Sequence, residues 1–158
     1  MNYQLKNYIN DSFKAQKLLM DFKAKLTNLS LGQAQIEVPI TERMHNQHGF
    51  AHAGILFSIG DTAAGYAALT YFSVDHDIMT VELKINYLKP PEGKKLRAVG
   101  KVIKSGSRLV VVSAIVYSIL GDRKRNKKLA VMQGTMIPVN RKNKNPILSQ
   151  SLPFIVHK

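Results

Sequence analysis

One stretch constrains the fold of this chain more than any other, HNQHGFAHAGILFSIGDTAAGYAALTYF, from His45 to Phe72. After three histidines it becomes a run of small and apolar residues, too long and too rich in alanine and leucine for a strand. We therefore expect a helix over residues 52–72 that begins near His52. A helix that is apolar on all sides is a buried one, so the rest of the chain is predicted to wrap around it.

Strand-like segments lie on both sides of this helix. Before it, LTNLSLGQAQIEVPI predicts two strands that turn near Gly32. After it, TVELKINYL alternates, which predicts that one face of a strand is buried, with these side chains on that face: Val81, Leu83, Ile85 and Tyr87. Three further runs follow, and the run over residues 109–120 is almost continuously apolar, so we expect it to be central. The pattern predicts an α+β fold, with an antiparallel sheet wrapped around one long helix.

The N-terminal segment DSFKAQKLLMDFKAKL predicts a short amphipathic helix. Asp11 or Ser12 is the candidate N-cap. An apolar stripe then falls at Ala15, Leu18, Leu19 and Phe22. A chain of 158 residues is long enough for one domain. We place that domain at residues 1–139 and expect residues 140–158 to form a basic, loosely ordered tail.

Composition excludes several classes of protein. No apolar run reaches the length of about 18 residues that spans a membrane, so no membrane span is predicted. There are no cysteines, which excludes disulfides, thiolate metal sites and cysteine nucleophiles. The N-terminus lacks the apolar segment of a signal peptide, so the cytoplasm is the expected location.

The net charge of +13 indicates an anionic partner, such as nucleic acid, an anionic membrane surface or a phosphate-bearing small molecule. Much of this charge lies in residues 121–128 and 140–145, and neither segment has interleaved aromatic residues. Proteins that bind single-stranded nucleic acid stack bases on such rings, which weakens that interpretation. No nucleic-acid partner is expected, and a nucleic-acid-binding domain is kept as a third, weaker alternative function. A solvated hairpin loop and a solvated tail are the alternative interpretation of these two segments.

A single carboxylate, Asp61, interrupts the predicted core helix. A lone buried carboxylate is unfavourable unless it is hydrogen-bonded or paired. In a purely structural role, Asp61 would cap a nearby backbone group by a hydrogen bond or form an ion pair with a lysine. The functional alternative is a general base or nucleophile in a partly dry cleft, where burial raises the pKa toward the working range. The free N–H groups at the start of the same helix, at residues 53 and 54, could stabilise an oxyanion.

Other chemistries are less well supported. His45, His48 and His52 span a loop and a helix start without a nearby carboxylate, so no metal site is expected. His52 is also what keeps a hydratase or dehydratase possible. The segment VDHD, residues 74–77, is predicted to be an exposed turn. Neither the G-x-S-x-G pattern nor a Walker-type phosphate loop occurs, which argues against serine hydrolases with that elbow and P-loop proteins.

The segment NQHGFAHAGILFSIGD resembles the signature of hotdog-fold acyl-CoA thioesterases of the phenylacetyl-CoA and 4-hydroxybenzoyl-CoA thioesterase kind. Asn46, Gly49, His52 and Asp61 hold the positions and spacing of that signature. The later segments MTVELKINYLKP, SGSR and QGTMIPV are also similar to the family, so the resemblance covers roughly residues 25–138. The chain departs from it at Ala53, where the family usually has glycine.

The resemblance implies a hotdog fold and hydrolysis of a thioester to a free acid and coenzyme A. It assigns Asp61 as base or nucleophile, the Ala53 N–H as the donor that polarises the carbonyl, and Asn46 as the residue that orients water or the leaving thiolate. Thr80 matches a family hydroxyl that helps to hold the acid. The remaining residues are expected to bind substrate: His52, Gly54, Lys104, Ser107 and Arg108. Coenzyme A belongs to the substrate, so no cofactor is expected. The basic hairpin over residues 121–128 could add to the positive electrostatic field around the phosphates of coenzyme A.

Geometry adds an expectation about assembly. Residues 53 and 61 of one helix lie about 12 Å apart, at ~1.5 Å per residue, so one carbonyl cannot contact both. The donor and the acid are therefore expected to come from two chains with antiparallel helices, in a homodimer or a dimer of dimers. A non-catalytic acyl-CoA-binding or lipid-binding module with the same fold remains the alternative function.

Overall fold

The computed structural model describes residues 1–120 and 126–141, which form three α-helices, one short 3₁₀ helix (Glu42–Met44) and a six-stranded antiparallel sheet. The helices are α1 (Tyr3–Ala15), α2 (Lys17–Asp21) and α3 (Ala53–Leu69). The strands are β1 (Lys25–Ser30), β2 (Gln33–Pro39), β3 (His76–Tyr87), β4 (Lys95–Ser105), β5 (Val110–Ile119) and β6 (Lys127–Asn140). The strand order is β1-β2-β4-β5-β6-β3, so β5 is central, as the sequence predicts.

The long helix α3 packs against the sheet, which confirms the predicted α+β architecture and the hotdog fold. At Gly100 of β4 an added Cβ would lie 2.2 Å from the carbonyl carbon of Ala63, so glycine is needed for this close approach. Among the described residues, none covers the opposite face of α3. Its exposed or partly exposed residues include Gly54, Phe57, Asp61 and Gly65, so the expectation of a helix buried on all sides is wrong.

The N-cap of the N-terminal helix is Asn2, nine residues before Asp11, the first of the two predicted caps, and Asn2 Oδ1 accepts a hydrogen bond from Leu5 N at 2.8 Å. Its buried stripe is Leu5, Ile9 and Phe13. The helix is interrupted at Gln16, and α2 follows directly. Leu18 of α2 is 55% exposed. The predicted cap is therefore wrong, and so are Ala15 and Leu18 of the predicted stripe, which are exposed, whereas Leu19 is buried and Phe22 is partly buried against the core. The apolar spacing that defines the first helix starts at Leu5.

Strand β3 forms one edge of the sheet and is longer than predicted. It begins at His76, and Asp77 accepts a hydrogen bond from the Tyr8 hydroxyl, so the second half of the predicted exposed turn is a strand. Val81 and Tyr87 are 59% and 48% exposed, which contradicts their predicted burial. Along its outer edge the strand pairs with no other strand of the described residues, and a bulge between Thr80 and Glu82 interrupts its alternation.

Two predicted segments lie largely outside the described residues. Of the basic hairpin, residues 121–125 are not described, and of the predicted tail, residues 142–158 are not described. Strand β6 continues to Asn140, one residue beyond the predicted domain boundary. In the described part of the chain, every helix is too short or too polar to cross a membrane.

Candidate active site

The start of α3 carries one backbone donor that is occupied and one that is open. The ring of His52, the N-cap residue, accepts a hydrogen bond at Nδ1 from Gly54 N at 3.0 Å. A neutral imidazole with Nδ1 as acceptor carries its proton on Nε2. Within residues 1–120 and 126–141, the N–H of Ala53 has no acceptor. Of the two predicted donors, Ala53 is therefore the one that remains available to a substrate.

The loop before α3 fixes the orientation of Asn46. Its Oδ1 accepts hydrogen bonds from His48 N at 2.9 Å and Phe50 N at 3.2 Å. The turn is completed by Gly49, whose φ of +78° lies in the left-handed region that favours glycine. Because Oδ1 is engaged inside the loop, the Nδ2 group of Asn46 is the end that can donate outward. Asn46 thus lies in the loop that leads into α3, shortly before His52 and Ala53.

Asp61 lies on the uncovered face of α3, partly buried, beside the edge strand β3. The Thr80 hydroxyl donates a hydrogen bond to Asp61 Oδ1 at 2.8 Å. Burial raises the pKa of the Asp61 carboxyl, and the hydrogen bond from Thr80 offsets part of that rise. In the part of the chain that the structure describes, no lysine or arginine forms an ion pair with Asp61. The expected alternative of a lysine partner is therefore not seen there.

A cavity of about 250 Å³ opens beside Asp61. Its walls come from α3, from β3 and from the N-terminal helix, and they include Asp61, Gly65, Tyr66, Thr80, Ser12 and Gln16. The sequence interpretation identified Asp61 and Thr80 but missed the other residues. Ser12 was considered only as a candidate helix cap and Gln16 was not singled out, because both residues reach the cavity through tertiary packing.

The two groups of candidate residues are separated within one chain. Ala53 and Asp61 are eight residues apart in α3, or about 12 Å at ~1.5 Å per residue. The structure therefore brings Asp61 together with Thr80, and it places Ala53 directly after His52 and the loop that holds Asn46, but it does not bring the two groups together.

The predicted nucleotide-binding residues lie at the same end of the sheet as Thr80. Lys104, Ser107 and Arg108 are exposed at the end of β4 and in the turn that follows it. Met136 of β6 pairs with Val110 on one side and Thr80 on the other, which places Val110 about 10 Å from Thr80 at ~4.8 Å per strand. These residues could approach a long substrate but do not contact Asp61.

The three histidines do not form a metal site with neighbouring acids. His48 contacts Gln47, and the Nδ1 atom of His52 is used in capping α3. Among the residues that the structure describes, no group of three or more histidine, aspartate or glutamate side chains is arranged to hold a metal ion.

Comparison with known proteins identifies the family. Residues 48–121 match the model of the thioesterase superfamily. A Saccharolobus solfataricus protein that is named as an esterase by assignment is 37% identical over 99 residues. These residues are 63% of this chain and 70% of that protein. The 1,4-dihydroxy-2-naphthoyl-CoA hydrolase of Listeria monocytogenes is 23% identical over 76% of this chain and 93% of its own length.

Solved structures agree with this assignment. The crystal structure of a thioesterase family protein from Silicibacter pomeroyi is 30% identical and superposes with a TM-score of 0.82. That match covers 86% of this chain and 98% of the Silicibacter protein, so the likeness extends over almost the whole of the known fold. The chain therefore belongs to the thioesterase superfamily, and it is a thioester hydrolase.

Proposed function

We propose that the protein hydrolyses acyl-CoA to a free acid and coenzyme A in a site that two chains build together. One observation carries this proposal. The open Ala53 N–H and the partly buried Asp61 carboxylate lie on the same uncovered face of α3, yet too far apart to act on one carbonyl. Two antiparallel copies of α3 would bring the donor of each chain to the acid of the other.

The donor half of the site would bind the thioester carbonyl. The N–H of Ala53 lies at the positive end of the α3 dipole, where developing negative charge on oxygen is stabilised. The Nδ2 group of Asn46 and the Nε2–H of His52 are further donors at the same end. Held in place before the reaction, these groups would favour the tetrahedral intermediate over the planar thioester.

The acid half would supply the attacking group. Asp61 either adds to the carbonyl carbon through its free oxygen or removes a proton from the attacking water. As a nucleophile, Asp61 would form a mixed anhydride as the C–S bond breaks and coenzyme A leaves as its thiolate, and water would then hydrolyse the anhydride to release the acid and restore the carboxylate. As a general base, Asp61 would take a proton from the water that adds to the carbonyl carbon and pass it to the departing thiolate as the C–S bond breaks. Thr80 holds Oδ1 of Asp61, which leaves Oδ2 for the reaction.

The edge of the sheet supports the dimer. Strand β3 carries Thr80, and its outer edge is not paired with another strand in the described residues. Met79 and Val81 beside Thr80 are 44% and 59% exposed, although long apolar edge strands are normally covered. On α3, Phe57 is exposed between Ala53 and Asp61. A second copy that covers these apolar side chains would also complete the site.

Charge supports coenzyme A as the leaving group. Lys104 and Arg108 are exposed at the end of the sheet near Thr80, and the chain has a net charge of +13. Phosphate groups bind to lysine and arginine by charge-assisted hydrogen bonds. The name of the Listeria relative describes a protein that hydrolyses an acyl-CoA, which is consistent with this substrate class.

A thiol-release assay tests the proposal against a non-catalytic acyl-CoA-binding module. We expect the wild-type protein to release free thiol from acyl-CoA, and Asp61→Asn to lower kcat by at least ~10²-fold. The matched control is Asp21→Asn, which changes an exposed carboxylate at the end of α2 and should keep full activity. Binding of acyl-CoA without release of thiol by the wild type would establish the binding module instead.

A further inference from the structure

We propose that one end of the sheet docks on an anionic phospholipid surface. This surface of the protein, the sheet-end patch, combines exposed apolar side chains with exposed cations. Its apolar part consists of Leu31, Tyr71, Ile103 and Leu109. Its cationic part consists of Lys101, Lys104 and Arg108. The inference goes beyond the proposed function and does not depend on hydrolysis.

The turn between β1 and β2 meets both β4 and the end of α3. Val102 N donates a hydrogen bond to Gly32 O at 2.9 Å, which sets Leu31 beside Ile103. The ring of Tyr71, two residues after α3, lies against Gly32, since a Cβ added to this glycine would come within 3.2 Å of the ring. Three apolar side chains from distant parts of the sequence therefore lie side by side.

The turn between β4 and β5 extends the same patch. The register of these strands shifts between Val102 and Lys104, so Ile103 is the extra residue of a bulge, and such a residue projects from its strand. Gly106 N donates to Leu109 O at 2.9 Å, which places Leu109 about 10 Å further along than Ile103, at ~3.3 Å per residue. The apolar side chains thus form one continuous surface.

The degree of exposure sets this surface apart. The four apolar side chains are between 47% and 60% exposed. A single exposed leucine is ordinary in a soluble protein, but a contiguous apolar patch with a polar rim marks an interaction site. The sheet-end patch therefore calls for a partner that buries apolar side chains.

The cations select an anionic partner. Lys101, Lys104 and Arg108 are exposed and form no ion pair with any described residue. The three stretches that build this end, residues 29–34, 70–74 and 101–111, contain no aspartate or glutamate. Asp77, at the start of β3, has its own cation, since its Oδ2 lies 3.6 Å from Arg141 Nε. The field at the sheet-end patch is therefore positive.

An anionic phospholipid surface satisfies both parts of the patch. Leucine, isoleucine and tyrosine side chains would enter the boundary between headgroups and acyl chains, while lysine and arginine would meet the phosphates. A nucleic acid would pair with the cations but leave the apolar side chains in water. A second copy of the chain would cover the apolar side chains, but a two-fold contact would bring the cations of both copies together.

Vesicle flotation of the full-length protein tests the proposal. We expect the protein to float with vesicles of equal parts phosphatidylcholine and phosphatidylglycerol, and to stay in solution with phosphatidylcholine alone. A variant with Leu31→Ser, Ile103→Ser and Leu109→Ser together should bind the mixed vesicles at least roughly tenfold more weakly, because three apolar side chains no longer enter the lipid. Lys101→Gln should weaken binding roughly fivefold, the effect of one cation near such a surface.

Two matched controls should keep the wild-type affinity. Leu18→Ser removes a leucine that is equally exposed, on α2. Lys94→Gln removes an exposed lysine next to the opposite end of β4. Equal losses in these controls would show that the sheet-end patch is not the binding surface.

The remaining outcomes are equally decisive. A wild type that binds neither kind of vesicle, or both kinds alike, overturns the proposal. A triple variant that binds as tightly as the wild type shows that charge alone attracts the protein, which also overturns it. So does a triple variant that forms a smaller assembly in solution, since the patch is then an interface between copies. Should the triple variant fail to fold, Ile103→Ser alone decides, because its bulged side chain is exposed.

Discussion

Thr80 donates a hydrogen bond of 2.8 Å to Oδ1 of Asp61 and so joins the edge strand β3 to the uncovered face of α3. The bond has two consequences. It orients the carboxylate, and it holds down a pKa that burial raises. Both can be measured separately from the rate of the reaction.

In a plot of kcat against pH, replacement of Thr80 by valine should move the fall in rate on the acidic side (the acidic limb) to higher pH. Asp61 must be ionised in either proposed route, so the rate falls as the pH drops through its raised pKa. Removal of a hydrogen bond that lowers this pKa raises it further. Thr80→Ser, which keeps the hydroxyl, is the matched control and should keep the wild-type limb. A limb that moves to lower pH in Thr80→Val would contradict the role given to Thr80.

The charge of Asp61 should lower the stability of the folded protein at neutral pH. Because the pKa in the folded state is raised, the native protein binds the proton more tightly than the unfolded chain. The resulting stabilisation is fully present below the unfolded pKa of about 3.9 and is lost as the pH rises through the folded value. The melting temperature of Asp61→Asn minus that of the wild type should therefore increase as the pH rises across this window. An equal difference in Tm at every pH would be inconsistent with this linkage.

Ala53→Pro should remove the oxyanion donor while leaving the helix intact. Ala53 is the first residue of α3, a position at which proline is favoured because its N–H makes no helical bond. His52 before it has a ψ of 136°, which proline requires of its neighbour. We expect kcat to fall by ~10²-fold or more with an unchanged circular dichroism spectrum.

Two further substitutions at Ala53 separate the N–H from the side chain. Ala53→Val keeps the N–H and adds bulk similar to that of proline, so its kcat should exceed that of Ala53→Pro by a wide margin. Ala53→Gly restores the residue usual in the family and should keep activity. Equal losses in the proline and valine variants would show that bulk, rather than the missing donor, is responsible.

Gly65→Ala should change stability and activity in opposite directions. Glycine in a helix interior is less favourable than alanine by about 1 kcal/mol, and a Cβ at Gly65 meets no atom within 4 Å. The variant should therefore unfold at a higher temperature. Its methyl group would enter the cavity beside Asp61, so KM for acyl-CoA should rise. A stabilised variant with unchanged KM would show that the acyl group does not pass Gly65.

The order of the elements was predictable from the sequence because it depends on local pattern. The long apolar run defines α3, and the alternating segments after it define the strands. The alternation of TVELKINYL also predicted a buried face, but half of that face is exposed because β3 is an edge strand with a bulge at Val81. The position of β3 at the edge of the sheet follows from the order of the strands, and the alternation of apolar residues within one strand does not determine that order.

The candidate site was predictable only as far as the family signature extends. Asn46, His52, Ala53 and Asp61 were identified from it, and the contact between Asp61 and Thr80 is present in the structure. Tyr66 and Gln16 of the cavity wall were missed because these two residues, 50 apart in the chain, meet only after folding. The cytoplasmic location and the roles of Lys104, Ser107 and Arg108 stay predictions.

Mixed dimers test most directly the central claim that donor and acid come from different chains. An Asp61→Asn subunit keeps its donors, and an Ala53→Pro subunit keeps its acid. Each homodimer should be inactive, while a heterodimer has one site with both defects and one with none. With random pairing of equal amounts, the account predicts return of about a quarter of wild-type thiol release from acyl-CoA. A mixture that stays inactive, with heterodimers demonstrated by mass spectrometry, would contradict the account and place the whole site within one chain.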